Sequence, residues 1–283
     1  MYPLILSKVL SEPWAINAET HWAIQEALIS HMEGRSASGQ ATQAQSAPFT
    51  PLAYAAGLKA PESRGSRLWT KGSLGVIPVY GIIGSHLSSL ETMCGGYGIE
   101  QLSADLDAAE ADSSIKRVLL DFHSPGGVIT GVPEAAKQIA AMSKETFGFT
   151  SGQSASASYW LMAKTNHIYI TESASVGSIG VYLALLDRSE AMKARGDKLQ
   201  LFKAGKFKAM GFPGTTLTEE ESAMLQATVD KAYTKFTSAV TSSRPGVQSA
   251  AMQGQMFTGS DARDAKLVDA LVLSFASLVR KLG

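Results

Sequence analysis

"IKRVLLDFHSPGGVITGVPEAAKQIAAMSK", residues 115–144, decides how this chain folds. Its first eight residues, apolar at Ile115, Val118, Leu119, Leu120 and Phe122, read as a strand. "HSPGG" (123–127) then turns the chain. Pro133 suits the first turn of a helix, where an N–H has no partner and a fixed φ is an advantage. The same order recurs on both sides. "VIPVYGII" (76–83) reads as a strand, and "YGIEQLSADLDAAEAD" (97–112) as a helix with Ile99, Leu102 and Leu106 inward. "TFGFT" (146–150), "HIYIT" (167–171), "SIGVYLALL" (178–186) and "KLQLFK" (198–203) read as further strands. A long helix begins at Thr218, which makes a capping box with Glu221, and Leu225, Val229, Ala232 or Tyr233, Phe236 and Val240 form its buried stripe. Repeated β-α units predict an α/β domain with largely parallel pairing over residues 71–283.

Residues 1–70 have a different texture. Asn17 is placed to cap a short helix through "AETHWAIQEALISHM", in which Ile24, Leu28 and Met32 recur at helical spacing. "RSASGQATQAQSAPFTPLAYAAG" (35–57) is rich in Ser, Ala and Gln and reads as a linker, since it offers little apolar surface per residue ordered. The opening run "MYPLILSKVLSEPW" is interrupted by Lys8 and Glu12. It is too short to span a bilayer and lacks a basic leader and a small-residue cleavage site, so a soluble, unexported protein is expected.

Among 283 residues, 45% are hydrophobic, and 25 Lys plus Arg balance 25 Asp plus Glu. The apolar content supports a large core, and the neutral balance gives no electrostatic footprint for nucleic acid or an anionic membrane. One cysteine, Cys94, rules out an intrachain disulfide, and no histidine near it in sequence suggests an activated thiol. The histidines (His21, His31, His86, His123, His167) form no ligand pair at helical spacing, so neither a metal nor another cofactor is expected.

Chemistry is more legible elsewhere. "SGQSASASYW" (151–160) puts Ser151, Ser154, Ser156 and Ser158 on a small-residue turn before an apolar helix, where free N–H groups favour developing negative charge. Gly126 and Gly127 leave their amides unshielded at a strand's carboxyl end, the place where α/β sheets build sites. His123 shares a strand face with Asp121, which raises a triad, although nothing in the sequence brings either residue to a serine. Lys203, Lys206 and Lys208 lie in "KAGKFKAMGFPG", an otherwise apolar, glycine-rich segment without an acid. A lysine turned inward there, against Phe207 or Met210, would lose hydration and become a usable base.

"VIPVYGIIG", "SPGG", "SASYW", "SVGSIGV", "KAGKFKAMG" and "FTGSDARDAKLVDAL" stand in the order found in the signal peptide peptidase A family of serine peptidases. Over about residues 72–273 the chain resembles, more narrowly, the family's bacteriophage head-maturation and capsid-assembly proteases. The resemblance implies a Clp-protease/crotonase-like fold and a Ser-Lys dyad without metal. It maps the nucleophile to Ser156, the base to Lys208 and a lysine-positioning serine to Ser178. It maps the oxyanion donors to the Gly126–Gly127 turn and the Ala157 amide, and the strand that pairs with substrate to Val128 and Ile129. It further implies a homo-oligomer that cleaves capsid, portal or scaffold proteins in the host cytoplasm, within the assembling procapsid. Two positions depart from the family pattern. Ala157-Ser158 replaces a frequent Gly-Gly, and Lys266 in "ARDAKLVD" replaces a glycine where a left-handed residue ends a helix. Two rival readings share this background: a crotonase-like acyl-CoA enzyme that uses Gly127 but not the dyad, and an inactive capsid scaffold protein.

Overall fold

A computed structural model of the chain describes residues 13–16, 49–63, 65–88, 91–92 and 95–283. The expected helix after Asn17, most of the expected linker and Cys94 lie outside these residues. In chain order the elements are β1 (Trp14–Ile16), α1 (Phe49–Ala55), β2 (Trp69–Lys71), β3 (Leu74–Tyr80), β4 (Ile82–Gly84), β5 (Gly96–Gly98) and α2 (Ile99–Ala111). They continue with β6 (Arg117–His123), β7 (Gly126–Val128), α3 (Val132–Ala141), β8 (Glu145–Thr150), β9 (Gln153–Ala155), α4 (Ala157–Met162), β10 (His167–Ile170) and β11 (Ser175–Gly177). The last are α5 (Ser189–Ala194), α6 (Glu219–Ser243), β12 (Met256–Thr258), α7 (Gly259–Asp264), β13 (Ala270–Leu271) and α8 (Phe275–Leu282).

The main sheet runs β13-β10-β8-β6-β3-β2, parallel except for the antiparallel edge strand β2. Alternation along β6 sends Val118, Leu120 and Phe122 into one core, with apolar residues of α2, α3, α4 and α6, and Leu119 into another, with Phe275, Leu278 and Val279 of α8. Burial on both faces explains why apolar residues occupy consecutive positions such as Val118, Leu119 and Leu120. Pro78 is tolerated inside β3 because β2 pairs only with Leu74–Val76, leaving the proline's missing N–H beyond the ladder.

Beyond the carboxyl ends of β3, β6, β8 and β10, the chain makes a second tier of short strands. One sheet is ordered β1-β7-β4-β5 and another β12-β11-β9. The predicted strand over 76–83 is therefore two strands, broken at Gly81, where a Cβ would lie 2.1 Å from the Gly95 carbonyl oxygen. "SIGVYLALL" and "KLQLFK" are not strands. In the first, Tyr182 alone makes a bridge, to Trp14, and the second lies exposed. "FTPLAYAAG" is no linker either: it forms α1 and, with the following Leu58, delivers buried Ala53 and Ala56 to the second core.

The expected cap of α6 is present. Thr218 Oγ1 accepts from the Glu221 N–H, and Glu221 Oε2 accepts from the Thr218 N–H at 2.9 Å. Ala232, Phe236 and Val240 are buried, but Leu225 and Val229 are only half-buried, so the helix is anchored by its second half. Lys266 takes φ +64° directly after α7, with the Leu267 and Lys266 N–H groups donating to Ala262 and Arg263 carbonyls, so the strain expected of a lysine there is real.

One acid is buried in the main sheet. Asp121 is 2% exposed and accepts from Tyr80 Oη at 2.6 Å; burial pushes its pKa up to about 7, against the opposing pull of that hydrogen bond. The folded state therefore holds a proton that the unfolded chain releases near pH 4. Stability should fall as pH rises from about 4 to 7, by on the order of a few kcal/mol, and level off above. Asp121→Asn, which keeps an acceptor for Tyr80, should flatten that decline in thermal melts taken across this range.

Candidate active site

β9 and β11 run parallel with Gly177 opposite Ala155, so the residues that follow, Ser178 and Ser156, leave adjacent strand ends together. Ser156 sits between β9 and α4 with φ +56° and ψ −119°, a backbone conformation that costs a side-chain-bearing residue on the order of 1–3 kcal/mol. Its N–H donates to the Gly177 carbonyl at 2.8 Å, and its own carbonyl accepts from the Trp160 N–H at 2.9 Å. Ser178 also has a positive φ, +52°, and its N–H donates to the Gln255 carbonyl at 2.6 Å. Both hydroxyl-bearing turns are thus held in strained geometry by backbone hydrogen bonds.

The four serines of the stretch separate by partner. Ser154 and Ser158 are fully buried and hydrogen-bond each other at 2.8 Å, Oγ to Oγ, while Ser151 is exposed. Ser156 Oγ donates only at the outer limit of hydrogen bonding, to the Gly180 carbonyl at 3.5 Å. Ser158 and Ser154 are committed to structure, and Ser156 keeps a hydroxyl in reserve.

The double-glycine turn meets this serine. A Cβ on Gly126 would lie 3.0 Å from Ser156 Cβ, and one on Gly127 would lie 1.8 Å from the Ile83 carbonyl oxygen. The Gly126 N–H donates to Ser124 Oγ at 3.1 Å, which fixes the turn. The other expected oxyanion donors are the amides of Gly127, which lies between Ala15 and Ile83 of the adjoining strands, and of Ala157 at the start of α4. Ser124 was missed in the sequence, although Ser-x-Gly is a recognisable side-chain-capped turn. Val128 is buried under β1, and Ile129 is partly buried against the main core.

His123 is apart from this centre. It lies on the same strand face as Asp121, as alternation predicted, with its ring 5.7 Å from that of Tyr80. Although one edge is open to solvent, burial of the rest holds its pKa below the ordinary histidine value. Among the described residues it makes no hydrogen bond to Asp121 or Ser156.

The lysines are arranged differently from the expectation. Lys208 is exposed instead of packed under Phe207 or Met210, because the segment around it lies on the outside of a single chain. Lys206 instead takes the Phe207 ring, 5.4 Å from its centroid, and pairs with Glu220. Lys203 Nζ donates to the Lys206 carbonyl at 2.9 Å. Lys208 has no side-chain hydrogen bond or ion pair among the described residues. No cluster of metal-ligating side chains occurs among them either, and no helix there is long and apolar enough to cross a membrane.

The sequence has relatives. Residues 142–281, just under half of the chain, match the model for Peptidase family S49. The chain is 32% identical over 169 residues to a putative protease of Methanocaldococcus jannaschii, covering 58% of this chain and 54% of that protein. It is 28% identical over 206 residues to capsid assembly protease C of Escherichia phage lambda (71% and 47%). It is also 28% identical over 204 residues to a head-tail preconnector protein of Enterobacteria phage P21 (70% and 40%). The chain is thus related to the S49 peptidases and to these phage proteins, at modest identity, and spans about half the length of the relatives it matches.

The strain at Ser156 can be measured. Ser156→Gly should leave the protein as stable as the parent or more stable, by up to about 1 kcal/mol, since glycine relieves the positive φ. Ser154→Ala and Ser158→Ala, each of which strands a buried hydroxyl, should cost about 1–3 kcal/mol. Denaturant melts showing the opposite order would contradict the assignment of these serines.

Proposed function

We propose that this chain is a serine endopeptidase of the Clp-protease/crotonase-like fold, using Ser156 as nucleophile and Lys208 as general base. The observation that carries this reading is Ser156 itself: a hydroxyl with no strong partner, on a strained strand-to-helix turn beside Gly127 and Ala157. Ser156 Oγ attacks the scissile carbonyl carbon and passes its proton to the neutral lysine amine. The carbonyl oxygen becomes an oxyanion facing the Gly127 and Ala157 N–H groups. Collapse expels the amine, which takes the proton from the lysine, and water repeats the cycle on the acyl-serine. Ser178, on the neighbouring strand end, is the residue that orients the lysine.

Lys208 reaches this centre from a second copy. Within one chain, Trp160 of α4 stacks on Phe236, 4.6 Å between ring centroids, whereas the segment bearing Lys208 is tied to Glu220 at the far end of α6. The rise from Phe236 to Glu220 is about 24 Å. Phe202 (92% exposed) and Leu186 (60%) on the same outer segment supply apolar surface for the contact. A homo-oligomer is therefore part of the proposal. Its substrates are the capsid, portal or scaffold proteins of an assembling phage head in the host cytoplasm, by analogy with the phage relatives.

Ser156→Ala and Lys208→Ala should each lower cleavage of co-expressed head proteins by at least about 100-fold, with little further loss in the double variant. Mixing the two single variants should restore part of the activity, since one intact pair then forms between copies. His123→Ala should keep the pH profile of kcat/KM. If the ascending limb instead disappears with His123, the base is a histidine.

A further inference from the structure

β1 comes from the N-terminal region, yet it lies in the middle of the candidate site. Trp14, Ala15 and Ile16 pair antiparallel with Val128, Gly127 and Gly126. On the other edge, the Trp14 N–H donates to the Tyr182 carbonyl at 2.9 Å and the Tyr182 N–H donates to the Trp14 carbonyl at 3.1 Å. The segment is thus paired on both edges, through three residues to β7 and through Trp14 to Tyr182, as a peptide is when it adds to an exposed strand edge. Without it, the β7 edge would lose its strand partner.

The strand runs towards the serine. The Ala15 carbonyl oxygen lies 2.2 Å, and Ser156 Cβ 3.0 Å, from the single point that a Cβ on Gly126 would occupy. A carbonyl of the chain's own backbone is therefore a near neighbour of the candidate nucleophile, and Ser156 is only 1% exposed. The side chains fit two kinds of pocket. Ala15 is fully buried in the main core along with Ala157. Trp14 and Ile16, 5% and 3% exposed, point the other way onto Val128, Ile82 and Tyr182.

We infer that residues 14–16 are a resident occupant of the substrate cleft, and that the cleft selects extended segments of the pattern bulky apolar, small, bulky apolar. This deepens the peptidase reading and rests on it. The small middle position is set by the close wall of the core, and the flanking ones by the apolar floor around Val128. Being tethered, the occupant acts at an effective concentration in the millimolar range, so a free peptide must displace it. The full chain accordingly holds its own cleft closed until a stronger strand, or another subunit, displaces the tether.

The test uses the full-length chain carrying Ser156→Ala to prevent turnover, and a labelled peptide of residues 10–18 (LSEPWAINA) followed by fluorescence anisotropy. Adding Ala15→Arg to the protein puts a charge into a fully buried position and should expel the tether, tightening peptide binding at least tenfold. A peptide with the same Ala15→Arg change should bind neither protein. Trp14→Ala in the protein removes an anchor without adding charge and should shift affinity the same way by a smaller factor, so the test does not depend on one variant folding. Equal peptide affinity in all three proteins, or tight binding of the arginine peptide, would overturn the inference. With Ser156 restored, Ala15→Arg should raise the cleavage rate of the same peptide several-fold. Binding as expected with no cleavage by any variant would remove the peptidase reading and leave the cleft assignment standing.

Discussion

A methyl group on residue 127 would stand 1.8 Å from the Ile83 carbonyl oxygen, and one on residue 126 would stand 2.2 Å from that of Ala15. No rotamer or small backbone shift resolves contacts of that kind, because the obstructing atoms are themselves backbone. The absence of two Cβ atoms is what lets β1, β4, β7 and the Ser156 turn meet in one place. Everything chemical follows from that convergence. Gly127 lies between Ala15 and Ile83 of the adjoining strands, and the Ser156 turn comes close to the same strand edge. The main sheet supplies rigidity, but the glycines decide where its carboxyl ends can come together.

Conformational strain is concentrated in the same region. Among the described residues, four other than glycine have positive φ: His86, Ser156, Ser178 and Lys266. Two of them are the candidate nucleophile and its neighbouring serine, held by N–H donation to Gly177 and Gln255. A relaxed serine would turn its hydroxyl back to the nearest carbonyl, as Ser124, Ser154 and Ser158 turn theirs to local partners. At its strained turn Ser156 reaches only the Gly180 carbonyl, at 3.5 Å. Energy spent on the backbone therefore appears as an uncommitted oxygen, a more persuasive sign of function than the serine count of the stretch.

Much of this architecture was legible because its signals are local. Residues 115–144 carry a strand, a turn and a helix, each announced by apolar continuity, glycine and Pro133 in turn. The capping box at Thr218 needs only four residues to read. What failed depended on neighbours. "SIGVYLALL" and "KLQLFK" have strand composition but no sheet edge to join, and Leu199, Leu201 and Phe202 are left exposed in the single chain. β1 was invisible for the opposite reason. "WAI" has no periodicity to detect, and its place is fixed entirely by Gly126, Gly127 and Tyr182, more than a hundred residues away. Spacing alone left Lys203, Lys206 and Lys208 equivalent, and the family resemblance picked out Lys208; the tertiary partners of the other two, the Lys206 carbonyl and Glu220, could not be read from spacing.

The nucleophile and the proposed base rest on unlike foundations, and that contrast bears on how the site is assembled. Ser156 is fixed by two strands, a helix and a turn, all within the first core. Lys208 belongs to an exposed segment with local contacts such as Thr216 to Asp187 and to Ser189, joined to the exposed half of α6. A single chain therefore carries a finished serine and an unfinished base. On the proposed reading the same chain also fills its cleft with Trp14–Ile16, so two conditions would stand between this fold and turnover: the base would have to arrive from outside and the tethered strand to leave. Both would be met by association with other proteins, which would confine hydrolysis to the assembled state and spare substrates encountered before it.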